Sequence, residues 1–206
     1  MASRALAGWR LFWVLALAVS AAICLGLART NLHSAHGTER IILHSVRCAL
    51  PFFVVAFVAS SLASLFPSRP TRWLLANRRY FGLAFAVGMA WHLSFVAYYF
   101  IAFGNPLKFT AIVLDLIGVA FLTAMTLTSF RWCARHLSQV NWKRLHKVGI
   151  YAIWLLVTYI YFGSVRSGPD RLHKVGLSVL LAAWLLRVIA WMRQEFQSRS
   201  VPACRR

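Results

Sequence analysis

Six long apolar runs, each closed by charged or helix-breaking residues, constrain this chain more than any other feature of its sequence. They cover Trp9–Leu27, Ile42–Phe66, Tyr80–Phe103, Thr110–Phe130, His146–Phe162 and Val175–Trp191. A bilayer crossing needs roughly 20 mostly apolar residues. In lipid a segment must also satisfy its own backbone hydrogen bonds, as a helix does. Only 13% of the 206 residues are charged, against roughly 25% in soluble domains, so most of the outer surface must face lipid. The expectation is an all-α membrane protein, a bundle of six transmembrane helices. It forms a single domain over residues 1–206, with a polar tail at Ser198–Arg206. The first run is too long for a signal-peptide core, and Arg29-Thr30-Asn31 does not resemble a small-residue cleavage site, so it is read as a retained helix.

Charge sets the orientation. There are 23 Lys and Arg against 4 Asp and Glu. One side holds Arg4, Arg10, Arg69, Arg72, Arg78, Arg79, Arg131, Arg135, Lys143, Arg144, Lys147, Arg187, Arg193, Arg199, Arg205 and Arg206. The other holds Arg29, Arg40, Arg47, Lys108, Arg166, Arg171 and Lys174. The positive-inside rule then puts both termini in the cytoplasm, and the third and fifth spans run parallel. The same distribution argues against nucleic acid as a partner. The cations sit in short connections between apolar runs, where anionic headgroups meet them, and not on one basic face. Pro67-Ser68-Arg69-Pro70, Gly104-Asn105-Pro106 and Gly168-Pro169-Asp170 mark span ends. Cys24, Cys48, Cys133 and Cys204 form no CxxC pair, so they read as reduced thiols.

Ionisable residues inside spans are costly and point to function. His92 lies about 20 Å into the third span by helix rise. There it needs a partner on a neighbouring helix, a metal or a cofactor. His146 opens the fifth span among basic residues, as an interfacial histidine or as a ligand. Tyr159 follows it by about 20 Å of helix, near the depth of His92, and Arg78 falls near the depth of His146. Two levels result: Arg78 with His146 inside, and His92 with Tyr159 outside. One or two haems between facing helices would suit this geometry. Iron accepts histidine and, in some enzymes, tyrosinate. Arg78 and Arg47 would suit propionates, although Arg47 also reads as a snorkelling interfacial residue. Asp115 reads as a solvated carboxylate near the outer end of the fourth span. His33 and His36 are expected in an outer loop spanning Asn31–Glu39.

The set Arg78-Arg79-Tyr80-Phe81-Gly82-Leu83, Trp91-His92-Leu93, Tyr98, Trp142-Lys143-Arg144-Leu145-His146 and Tyr151 resembles the ferric-reductase-like transmembrane domain. Ala49-Leu50 and Leu127-Thr128-Ser129 add to it, and the likeness covers Leu43 to Arg193. Within that superfamily the chain is most similar to the haem-binding membrane subunit of the bacterial periplasmic methionine sulfoxide reductase system. The resemblance implies a bacterial inner-membrane protein carrying haem b on its third and fifth spans, with His92 and His146 as iron ligands. FMN is a further candidate cofactor. Electrons would come from a quinol or flavin donor on the cytoplasmic side and pass to a periplasmic molybdenum-containing reductase. The chain departs from the family at Tyr159, where the family has a second histidine, and at Ser45-Val46, where it has Thr-Gly. Tyr159 as ligand, an open sixth position, His44 or His173 reaching in, or loss of one haem are the resulting alternatives. Two other functions compete with electron transfer. One is a stand-alone reductase of ferric chelates or oxygen, the other a haem-free transporter or scaffold.

Overall fold

The computed structural model describes residues 6–104, 109–167 and 171–200, and these are helical with short connections. The helices are α1 (Trp9–Leu27), α2 (Ala35–Leu65), α3 (Arg69–Phe103), α4 (Phe109–Leu127), α5 (Arg131–Ala134), α6 (Gln139–Ser167) and α7 (Arg171–Ser200). No strand occurs among the described residues. Asn105, Pro106, Lys108, the Gly168–Asp170 breaker, Arg4 and the chain beyond Ser200, with Cys204, lie outside them.

Five helices, α1, α2, α3, α6 and α7, are long and apolar enough to cross a membrane, and α4 adds a shorter apolar stretch, Val113–Leu127. Only 22–33% of each long span is buried inside the protein, so most of every helix faces outward with apolar side chains. That surface suits a lipid bilayer and would be untenable in water.

Local chemistry moves several boundaries from where hydropathy alone puts them. α3 starts at Arg69, well before Tyr80, because Ser68 and Thr71 form a reciprocal capping box with Pro70 in the first turn. Its 35 residues extend about 53 Å, beyond the roughly 30 Å hydrocarbon core. Part of α3 must therefore extend past the hydrocarbon core of a bilayer that it crosses. α3 ends where Gly104 takes φ 58°, a left-handed turn that glycine adopts without strain. α2 starts at Ala35, since Ser34 accepts the Gly37 amide at 3.1 Å. His36 and Glu39 are thus helical, not part of a loop, while His33 stays in the turn. α4 stops at Leu127, short of Phe130. There Thr128 Oγ1 donates to the Ala124 carbonyl at 2.6 Å and Ser129 Oγ to that of Met125 at 2.8 Å. The amides of Ser129 and Phe130 turn to carbonyls three residues back, which tightens and closes the helix.

α2 is the central post. It packs along α3 and α7, α1 covers the α2–α3 edge, and α6 joins α7 to α4. The core centres on Ala49, Phe53, Phe57, Phe85, Ile153, Val157, Leu180 and Ala183. Gly88 on α3 lies directly on Ala49, and an added Cβ would stand 2.7 Å from the Ala49 methyl, so the two helices approach as closely as small residues allow. α3 and α6, by contrast, face one another across a space.

Candidate functional site

That space is a cavity of about 420 Å³ bounded by α2, α3, α4, α5, α6 and α7, within the usual range for cofactor sites. Its floor is apolar, from Phe53, Leu83, Phe85, Leu122, Met125 and Ile153. Its rim carries Arg78, Arg79, Lys143, His146, Lys147 and Arg187. Among the described residues no carboxylate lines it. Arg78 and His146 thus meet in one site from two helices, at the level their spacing suggests.

The rim cations are held in different ways. The Arg79 guanidinium lies over Trp9 and Tyr80, 5.5 and 5.7 Å from their ring centres, and its Nε is buried with no hydrogen-bond partner among the described residues. Arg187 donates from Nη1 to the Phe57 carbonyl at 2.7 Å and from Nε to the Tyr151 hydroxyl at 3.1 Å. It also sits 4.5 and 4.7 Å from the rings of those same two residues. Gly82, on the α3 wall, has open space where a Cβ would stand.

The two histidines are in opposite tautomers. His92 Nδ1 is 3.3 Å from the Ile42 carbonyl, which can only accept, so Nδ1 carries the proton. Ser45 Oγ, 3.4 Å from the same nitrogen, donates its own proton to Ile42 O at 2.7 Å and supports that assignment. The lone pair of His92 is therefore on Nε2, which has no hydrogen-bond partner among the described residues, the state in which imidazole binds metal. At His146, Nε2 is 3.1 Å from Thr128 Oγ1, whose single proton goes to Ala124 O. His146 therefore donates from Nε2, and its lone pair is on Nδ1. Its ring packs 4.3 Å from that of Trp142, whose indole donates to the Thr128 carbonyl at 3.0 Å.

The outer level is assembled differently from the expected pair. His92 does not line the cavity, and its hydrogen bonds run to α2. Tyr159 is 61% exposed, and no hydrogen bond or ring contact joins it to His92. Asp115, exposed on α4, lies within electrostatic range of His92, a neighbour that span depth alone does not reveal. Arg47 donates to His173 Nδ1 at 3.3 Å, and His173 is buried against Tyr161. His44 is engaged with the Ala22 carbonyl at 3.1 Å and the Cys48 sulfur at 3.4 Å. Both alternative histidines thus have partners of their own. Cys24, Cys48 and Cys133 are free thiols. Among the described residues no three His, Cys, Asp or Glu side chains gather as a metal site.

The donor set fits haem in part. The cavity offers cations and the orphaned Arg79 Nε, which suit propionates, with no carboxylate among its described lining residues, whereas the open Nε2 of His92 lies outside this cavity. It fits less directly at His146, where Thr128 occupies the nitrogen that usually binds iron. Arg187, Thr128 and Trp142 complete the site. Thr128 and Trp142 belong to the resemblance motifs, whereas nothing in the sequence distinguishes Arg187 from an ordinary flanking cation. Comparison of the chain with known protein families, curated protein sequences and solved structures finds no match.

Proposed function

We propose that this chain is a haem b-binding transmembrane electron-transfer subunit, a six-span bundle with both termini in the cytoplasm of a bacterial cell. The observation that carries the reading is the cavity shared by Arg78 of α3 and His146 of α6, closed by apolar side chains at its floor and by cations at its rim. A planar macrocycle with acidic edges matches that division. One-electron transfer is the chemistry haem supplies when bound.

The chain's own residues hold and tune. Arg78 and Arg79 would pair with propionates, since a guanidinium matches a carboxylate in two hydrogen bonds. His146 would ligate after Thr128 releases its Nε2, and His92, outside this cavity, would serve only a second haem at the outer level. Phe53, Leu83, Phe85 and Ile153 exclude water from the floor. A cytoplasmic-side quinol or flavin donor and a periplasmic molybdenum-containing reductase are the partners the sequence resemblance implies.

The test is the reduced-minus-oxidised visible spectrum of the purified protein, with His92→Ala and His146→Ala alongside. Sharp b-type bands that weaken in each variant are expected. A colourless wild-type protein from haem-replete cells would overturn the reading.

A further inference from the structure

A second, separate space opens on the outside of the bundle. It is a groove of about 270 Å³ between α6 and α7, lined by Lys147, Tyr151, Trp184, Arg187, Val188 and Trp191. Lys147 and Arg187 line both this groove and the interior cavity, so they form the wall between the two. Trp184 and Trp191 are 38% and 63% exposed, and Trp184 stacks on Trp154 with ring centres 6.1 Å apart. Trp154 is fixed in turn by its indole bond to the Leu180 carbonyl at 3.1 Å. The groove's aromatic side is thereby braced by both helices.

We propose that this groove binds the headgroup of an anionic phospholipid from the leaflet at the basic end of the bundle. Charge complementarity selects the occupant: two cations face the groove and, among the described residues, no carboxylate lines it. Placement selects a lipid over a free anion, because the groove lies between two membrane-crossing helices with indole rings at its edge. Indoles favour the level where glycerol and headgroup meet the acyl chains. Basic pockets between transmembrane helices take acidic headgroups on the same physical grounds. Arg187 is already ordered by Phe57 and Tyr151, so little side-chain entropy is lost on binding. This inference does not depend on haem.

The experiment is native mass spectrometry of the full chain, delipidated and then offered equal amounts of phosphatidylglycerol and phosphatidylcholine. Wild type should retain phosphatidylglycerol at least fivefold over phosphatidylcholine. Lys147→Gln should bring that ratio below twofold, while Arg144→Gln, an exposed cation outside the groove, should leave it unchanged. Because Arg187 also supports the core, Trp191→Phe serves as the second groove variant and should weaken retention without loss of fold. Equal retention of the two lipids by wild type would overturn the proposal. So would an equal effect of Arg144→Gln and Lys147→Gln, which would mark unspecific charge. Displacement of the lipid by millimolar inorganic phosphate would also overturn it, by showing a free-anion site.

Discussion

Replacing Gly82 with leucine separates a cavity that holds a cofactor from one that is merely loose packing. Gly82 lies on the α3 wall of the cavity, and a Cβ there meets no atom within 4 Å. Leucine is a better helix former than glycine by about 0.5–1 kcal/mol, so the empty protein should be as stable as wild type or more so. The side chain adds four carbons. Taking each as about the 30 Å³ of a water molecule, they occupy on the order of 120 Å³, somewhat over a quarter of the 420 Å³ available. Overpacking costs about 1–3 kcal/mol, and here it falls on the loaded state alone. That amounts to about a 5- to 150-fold loss of affinity. The assay pairs haem content per polypeptide with thermal unfolding in detergent, with Gly82→Ala as the one-carbon control. A Gly82→Leu protein carrying haem at the wild-type ratio would refute the assignment of this cavity.

The α2–α3 contact predicts the opposite response to a larger side chain. Gly88→Val drives a branched side chain into Ala49 and Val19 and should destabilise the bundle by about 1–3 kcal/mol, read as a lower melting temperature; an unchanged value would place the helices further apart than described. Thr128→Val removes the acceptor that occupies His146 Nε2. That bond is worth about 0.5–1.5 kcal/mol, so haem affinity should rise about 2- to 13-fold, and a loss of haem would show that Thr128 supports the ligand instead of competing for it. In a cysteine-free background, a membrane-impermeant maleimide applied to intact spheroplasts should label His33→Cys and spare His136→Cys. Both positions are exposed in connections at opposite ends of the bundle, and the reverse pattern would invert the orientation.

Hydropathy alone indicated the helical class and the rough place of the five long helices and of α4, though not the short α5, because burial of backbone in lipid leaves so few alternatives. Helix ends were harder to read, since they depend on hydroxyls. Ser34 and Ser68 start helices inside stretches that composition marks as loops, and Thr128 and Ser129 stop one inside a stretch that it marks as a span. The pairing of Arg78 with His146 followed from helix rise, which converts sequence spacing into depth. Rise says nothing about azimuth, so Tyr159, expected near the depth of His92, lies 61% exposed. Arg187 was counted among flanking charges. Its bond to the Phe57 carbonyl spans 130 residues, and no local pattern encodes such a contact.

The ring of cations around the cavity has an energetic consequence for whatever sits inside it. A negative charge added there would be favoured by Arg78, Arg79, Lys143, Lys147 and Arg187, with no acidic side chain among the described lining residues to oppose it. One such cation about 10 Å away, in a medium of effective dielectric about 20, favours the added charge by about 1.7 kcal/mol. On a one-electron couple that is a positive shift of about 70 mV. Propionates on the occupant would offset part of the sum, and each arginine removed would lower the midpoint by a step of this order. On the proposed function, the rim makes a haem at the basic, donor end of the bundle easier to reduce, and onward transfer to the far side requires an acceptor of still higher potential.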